Sequence, residues 1–197
     1  MHNVKLRITL NGCDSSRTII VPGNVPLLIL HEMIQVVFGW MDDHLHEFSK
    51  GDVFYQIPDE AADVPFGTTK DETKVNISHL ISEKGDTFTY TYDFGDNWKH
   101  EIIAEDLNAA EEPYTCVEIH GINGVEDSMY FGGAKGIAEL LVKKHTKQYK
   151  ECVGWLKETF GLSPKDVLEI PSKEDLSDEL KDIGNEYTKF GLERFLN

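Results

Sequence analysis

Tyr90-Thr91-Tyr92-Asp93-Phe94-Gly95-Asp96-Asn97-Trp98-Lys99-His100 is the stretch from which the fold is read. Aromatic and polar residues alternate on both sides of an Asp-Phe-Gly-Asp-Asn turn, so residues 87–105 are predicted to form a β-hairpin. An Asp at the start of such a turn accepts backbone N–H bonds, and Gly95 is expected to supply the positive φ that the reversal needs. Tyr92 and Trp98 then pair across the strands as aromatic neighbours. His100 shares the strand face of Trp98 and Ile102, which makes it a hydrogen-bonded, partly buried residue in this reading.

Towards the N-terminus, Val4, Leu6 and Ile8 alternate with Lys5, Arg7 and Thr9 as in a half-buried strand. Asn11-Gly12 turns the chain, and Thr18-Ile19-Ile20-Val21 returns as a second strand. After Pro22-Gly23-Asn24, residues 27–38 place Leu30, Met33, Ile34 and Val37 on one helical stripe. Asn24 or a neighbour is expected to cap that helix, and Gly39 to end it. Residues 45–48 and 53–57 are predicted strands, 59–74 a surface loop, and 75–81 a strand or a helical turn. A strand over 115–120, a glycine-punctuated loop, and helices over 137–144 and 149–160 follow. Leu176, Leu180 and Ile183 predict one more amphipathic helix. The mixed order predicts an α+β fold with a mixed, mainly antiparallel sheet. Residues 1–162 are read as one domain, and 163–197 as an acidic, partly helical extension docked on it.

Composition narrows the function. The chain has 197 residues, 40% hydrophobic and 27% charged, as in an ordinary globular protein. No apolar run approaches the roughly 20 residues that span a bilayer, and no signal peptide is expected from the residues that open the first strand. Cys13, Cys116 and Cys152 fit neither a disulfide framework nor a paired zinc pattern, so a reducing, cytoplasmic setting is expected. Acidic residues number 35 against 19 basic ones, for a formal charge of −16. Proteins that grip phosphates do so with Lys and Arg, and the arginines here are Arg7, Arg17 and Arg194. Direct nucleic-acid binding is therefore not expected, and Lys143, Lys144, Lys147 and Lys150 read as a solvated helix face.

The segments Leu30-His31-Glu32-Met33-Ile34, Phe38-Gly39-Trp40 and His44-Leu45-His46-Glu47-Phe48, followed by the 90–101 hairpin, resemble one bacterial and archaeal family. It is the plasmid open-reading-frame-three family, named after a gene on an Agrobacterium Ri plasmid. The resemblance covers residues 3–162 and implies a fold, with no established activity. Some members lie beside insertion elements, and one carries a putative-resolvase label. The family's late loop reads Pro-Pro-Glu-Asp-Cys-Gly-Gly. Here Cys116, Glu126-Asp127 and Gly132-Gly133 match, while the prolines and the loop cysteine are absent and Met129-Tyr130-Phe131 is inserted. A role that needs both cysteines does not carry over.

Three readings of function remain open. The first is a non-enzymatic binding or interaction module whose partner is a protein, or a peptide laid along a sheet edge. The second is a metal-dependent hydrolase. His44 and His46, two apart on a predicted strand, would present imidazoles to one side, with His100 as a third ligand for a divalent transition metal. Asp93, Asp96, His100, Glu126 and Asp127 are the candidate catalytic groups, as ligands or as general base. Against this, Asp93 and Asp96 are equally the residues that a tight turn requires. The third is an accessory role in DNA transactions, acting through a partner. Recombinase chemistry itself needs cations around the transferred phosphate, and three scattered arginines do not supply them. Gly132-Gly133-Ala134-Lys135-Gly136 lacks the ending of a phosphate loop and reads as a helix entry.

Overall fold

The computed structural model describes residues 2–58, 68–123, 125 and 128–196. Eight strands make one sheet: β1 (Asn3–Leu10), β2 (Ser15–Pro22), β3 (His46–Lys50), β4 (Val53–Gln56), β5 (Thr68–Asp71), β6 (Thr87–Tyr92), β7 (Trp98–Asp106) and β8 (Thr115–His120). Their spatial order is β5-β4-β3-β6-β7-β1-β2-β8. The β4–β5 pairing is parallel and the others are antiparallel. The helices are α1 (Leu27–Phe38), α2 (Gly133–Val142), α3 (Lys147–Phe160), α4 (Pro164–Leu168) and α5 (Lys173–Phe190). This is the α+β architecture that the sequence predicts. No helix among the described residues is long and apolar enough to cross a membrane.

Strand periodicity sets the register of the core. Tyr92 faces Trp98, Tyr90 faces His100 and Phe88 faces Ile102 across the hairpin. On its other side β6 meets β3, with His46 opposite Tyr92 and Phe48 opposite Tyr90. Because side chains alternate, these residues share one face with Leu6, Ile8 and Leu10 of β1. Helix α1 packs on that face, its Phe38 ring edge-on to His100 at 4.7 Å.

Helix α1 starts and ends for different reasons. Gly39, at φ 71°, adopts the left-handed conformation that closes it, as predicted. Its start has no side-chain cap. Pro26 stands at the N-cap, and the Leu27 N–H is satisfied instead by the carbonyl of Val75 at 2.9 Å. Ten of its twelve residues are buried, more than a single stripe against a sheet would bury. The other side is covered by α5 and the 3-10 turn Gly191–Phe195, which pack against it. Leu176 and Leu180 of α5 thus belong to the main core. Residues Val125, Ile137, Leu141, Cys152, Leu156 and Val167 form a second, smaller cluster among α2, α3 and α4.

Several local expectations are corrected. Strand β3 begins at His46, so His44 precedes it and Leu45 faces solvent. Residues 75–81 take the helical-turn alternative rather than the strand, with a 3-10 turn over Ile77–His79 that follows another over Glu72–Lys74. Of the predicted loop, residues 68–71 pair as β5, and 59–67 lie outside the described residues. At the hairpin tip the positive φ values belong to Asp93 (54°) and Asn97 (57°) rather than to Gly95. Short polar side chains tolerate this region because they bond locally. Asp93 Oδ1 accepts the N–H groups of Gly95 (2.9 Å) and Asp96 (3.2 Å).

Candidate metal centre

His31 and Gln35 are polar residues one turn apart on a helix whose one other polar residue is Glu32, and each of the two is buried. A closed ring of hydrogen bonds explains both. The Asp42 N–H donates to Gln35 Oε1 at 2.9 Å, which fixes the orientation of the amide. Gln35 Nε2 then donates to the Tyr90 hydroxyl at 2.8 Å. The tyrosine oxygen, already accepting, turns its own hydrogen to His31 Nδ1 at 2.8 Å. His31 Nε2–H in turn donates to Asp42 Oδ1 at 2.9 Å. The ring therefore assigns the His31 tautomer. It also holds Asp42, whose φ is 57°, in a left-handed conformation.

His46 lies directly on His31. The imidazole centroids are 3.5 Å apart and the planes differ by 6°. The Nε2 of His46 bonds Glu72 Oε1 at 2.9 Å. Glu72 is fully buried, and its Oε2 has no hydrogen-bond partner among the described residues. An ionised carboxylate in that situation is expensive unless a cation approaches it. Donor atoms of His31, Asp42 and His46 all lie within 4.8 Å of one another. Asp42 is half-exposed, so the cluster communicates with solvent.

The charge balance is negative. Burial lowers the pKa of His31 to about 4, against the opposing hydrogen bond that it donates to Asp42, so its imidazole is neutral at physiological pH. Two stacked imidazolium rings at this spacing would repel each other. Glu32, next to His31, has its carboxyl pushed up to about 7, first by burial and then by Asp42. Two imidazoles and a carboxylate from a face-to-face cluster form a donor set that suits zinc, iron or nickel, with positions left open for water. Lewis-acid polarisation or activation of a bound water is the chemistry such a set can support.

The residues singled out from sequence are not brought together as expected. Of His44, His46 and His100, His46 is in the cluster. His44 sits 3.8 Å from Asp93 Oδ2 and edge-on to Tyr92; it leaves His46 because the strand starts after it. His100 is on β7, with β6 between it and His46. It is fully buried, bonded through Nδ1 to the Trp98 carbonyl at 3.1 Å. Asp93 shapes the turn, and Asp96 Oδ2 accepts the Ser128 N–H at 2.9 Å. Glu126 and Asp127 lie outside the described residues. Sequence reasoning missed His31, Asp42 and Glu72 as site residues. The legible signal was the polar His31/Gln35 pair at helical spacing on a buried helix.

Burial lowers the pKa of His100 to about 3, from an ordinary value of 6.5. Between those values the unfolded chain binds the extra proton, so stability falls as pH drops from about 6.5 towards 3. At pH 5 this term is worth roughly 2 kcal/mol. His31 adds in the same direction. Urea titrations at pH 7 and pH 5 are expected to show a smaller acid-induced loss in His100→Leu than in the wild type. Equal losses would remove His100 from the account.

Residues 2–169 match the model of the family described as plasmid pRiA4b ORF-3-like protein. The chain belongs to the plasmid pRiA4b ORF-3-like family. It is 37% identical over 106 residues to the uncharacterised protein y4hQ of Sinorhizobium fredii (strain NBRC 101917 / NGR234), a match that spans 52% of this chain and 53% of that protein. The chain therefore spans about half the length of that curated relative. Among solved structures it resembles the protein of unknown function MM3350 from Methanosarcina mazei Go1, with a TM-score of 0.64 and 33% identity. That match covers 84% of this chain and 96% of the other. The plasmid pRiA4b ORF-3-like match contains the whole His31–Asp42–His46–Glu72 cluster and ends before α5.

Proposed function

We propose that this member of the plasmid pRiA4b ORF-3-like family is a binding module whose ligand is one divalent transition-metal ion, held by His31, Asp42 and His46. The observation that carries the reading is the convergence of their donor atoms within 4.8 Å, beside a fully buried Glu72 with one oxygen unpartnered among the described residues. The supporting groups match what metal-bound histidines need, a second partner on the other ring nitrogen. Glu72 supplies it for His46, and Tyr90 for His31. A metal held at His31 Nε2 would require the tautomer with its proton on Nδ1, facing the Tyr90 oxygen.

Cobalt and zinc titration of untagged protein, read by absorption spectra and elemental analysis, is expected to give about one equivalent. His46→Ala and Asp42→Ala should lose it. Tyr90→Phe and Glu72→Gln should weaken it by on the order of 10- to 100-fold while leaving the stoichiometry intact. Protein that holds no transition metal after reconstitution, or binding that survives loss of His31 and His46 together, would overturn the reading. The arginines leave little for a phosphate-binding alternative. Arg7 pairs with Glu105 and Arg194 with Glu186, each at 3.2 Å, and Arg17 is buried.

A further inference from the structure

The end of the sheet that carries the hairpin tip exposes large apolar groups. Leu45 is 75% exposed, Tyr130 84%, Met41 55% and Phe94 50%. Backbone bonds bring them to one place. The Asp93 N–H donates to the Leu45 carbonyl at 2.9 Å, which makes Leu45 and Phe94 neighbours. The bond from Ser128 N–H to Asp96 ties the turn before Tyr130 to the same tip. Met41 lies on the loop whose Asp43 N–H donates to the Tyr92 hydroxyl at 3.0 Å. Single exposed apolar residues are ordinary, but several around one tip mark an interaction surface.

The charge around this surface says what covers it. Asp42, Asp43 and Asp96 stand among the apolar groups. The β1–β2 turn, placed alongside by the Asn11 N–H bond to the Lys99 carbonyl at 2.8 Å, adds an exposed Asp14. Against these carboxylates stand Lys99, the half-buried His44 and the exposed His120, the last bonded to Asp14. On a chain of net charge −16, such a surface repels anionic lipid and nucleic acid and attracts a cationic partner. We propose that the hairpin end is a docking surface for a basic protein segment whose leucine or aromatic anchors seat on Leu45, Phe94 and Tyr130. The proposal goes beyond the metal reading, since none of these three residues is a ligand.

Two synthetic peptides with identical leucine and phenylalanine anchors test it, one with lysines between the anchors and the other with glutamates. Fluorescence anisotropy against the full chain is expected to show saturable binding of the lysine peptide alone. That binding should weaken with added salt. The double variant Leu45→Ser/Phe94→Ser, both exposed positions, should keep the wild-type melting temperature and metal content and bind at least about tenfold more weakly. Asp14→Asn/Asp43→Asn should weaken binding in the same direction. Equal binding of the two peptides, or unchanged binding by Leu45→Ser/Phe94→Ser, would overturn the proposal. So would a concentration-dependent dimer that this double variant abolishes, because the occupant would then be a second copy of the chain.

Discussion

A chain ending at Pro171 is expected to lose its cooperative fold, although the family match ends at residue 169. Leu176 and Leu180 of α5 are 2% and 0% exposed within the main core, and Ile183, Tyr187, Leu192 and Phe195 pack on it. The backbone of α5 comes so close that a Cβ on Gly184 would lie 2.6 Å from the Tyr114 ring. Ser177 Oγ accepts the Cys116 N–H at 3.0 Å, satisfying a group on the edge strand β8. Truncation removes two buried leucines, each worth about 1.5–3 kcal/mol, and bares the surfaces of α1 and β8 that they covered. The sum is comparable with the whole stability of a typical domain. Near-ultraviolet circular dichroism should show lost tertiary structure, with dye binding to the uncovered face. In the full chain, Gly184→Leu should lower the urea midpoint by levering α5 off Tyr114. A truncated chain with the full-length midpoint would show that the arm adds nothing to the core.

Replacing Arg17 by Met is expected to cost about 3–5 kcal/mol, because it leaves several buried neutral oxygens unpaired at about 1–3 kcal/mol each. The guanidinium is fully buried, and among the described residues its hydrogen bonds go to carbonyl, hydroxyl and amide oxygens rather than to a carboxylate. Its Nε donates to the Val37 carbonyl at 2.8 Å, at the negative end of the α1 dipole. One terminal nitrogen donates to the carbonyls of His120 (2.7 Å) and Ser16 (2.9 Å), and the other to Asn123 Oδ1 (2.8 Å). The plane also lies over Phe38, 5.0 Å from its centroid. Burial lowers the pKa to about 10, so the group remains charged at neutral pH. Met fills similar space and leaves these acceptors unpaired. Lys keeps the charge without the fork and should recover only part of the loss. A urea midpoint shift equivalent to less than about 1 kcal/mol in Arg17→Met would contradict this account.

Much of the fold is legible locally. Residues 87–105 alternate with period two around a polar turn, and Leu27–Phe38 ends on Gly39; both became the predicted elements. The strand boundary at His46 was not legible, because Leu45 has the composition of a strand residue yet faces solvent beside Phe94. The candidate site was half legible. His46 was found through its His-x-His spacing, but its partner is His31, on a helix that pattern alone reads as core. Glu72, 26 residues away from His46, lies in a stretch whose polarity suggests a surface loop.

By itself, then, the sequence determined the hairpin, the first helix, the mixed antiparallel architecture and the acidic character. Each follows from periodicity, turn chemistry or charge, which act over a few residues or need no geometry at all. Only the tertiary structure decided which imidazoles meet, which carbonyl oxygens Arg17 bonds, and that α5 completes the core. Those outcomes depend on pairings such as His31 with Tyr90, 59 residues apart. Their energy comes from burial and mutual hydrogen bonding once the sheet has formed, and no local pattern records it.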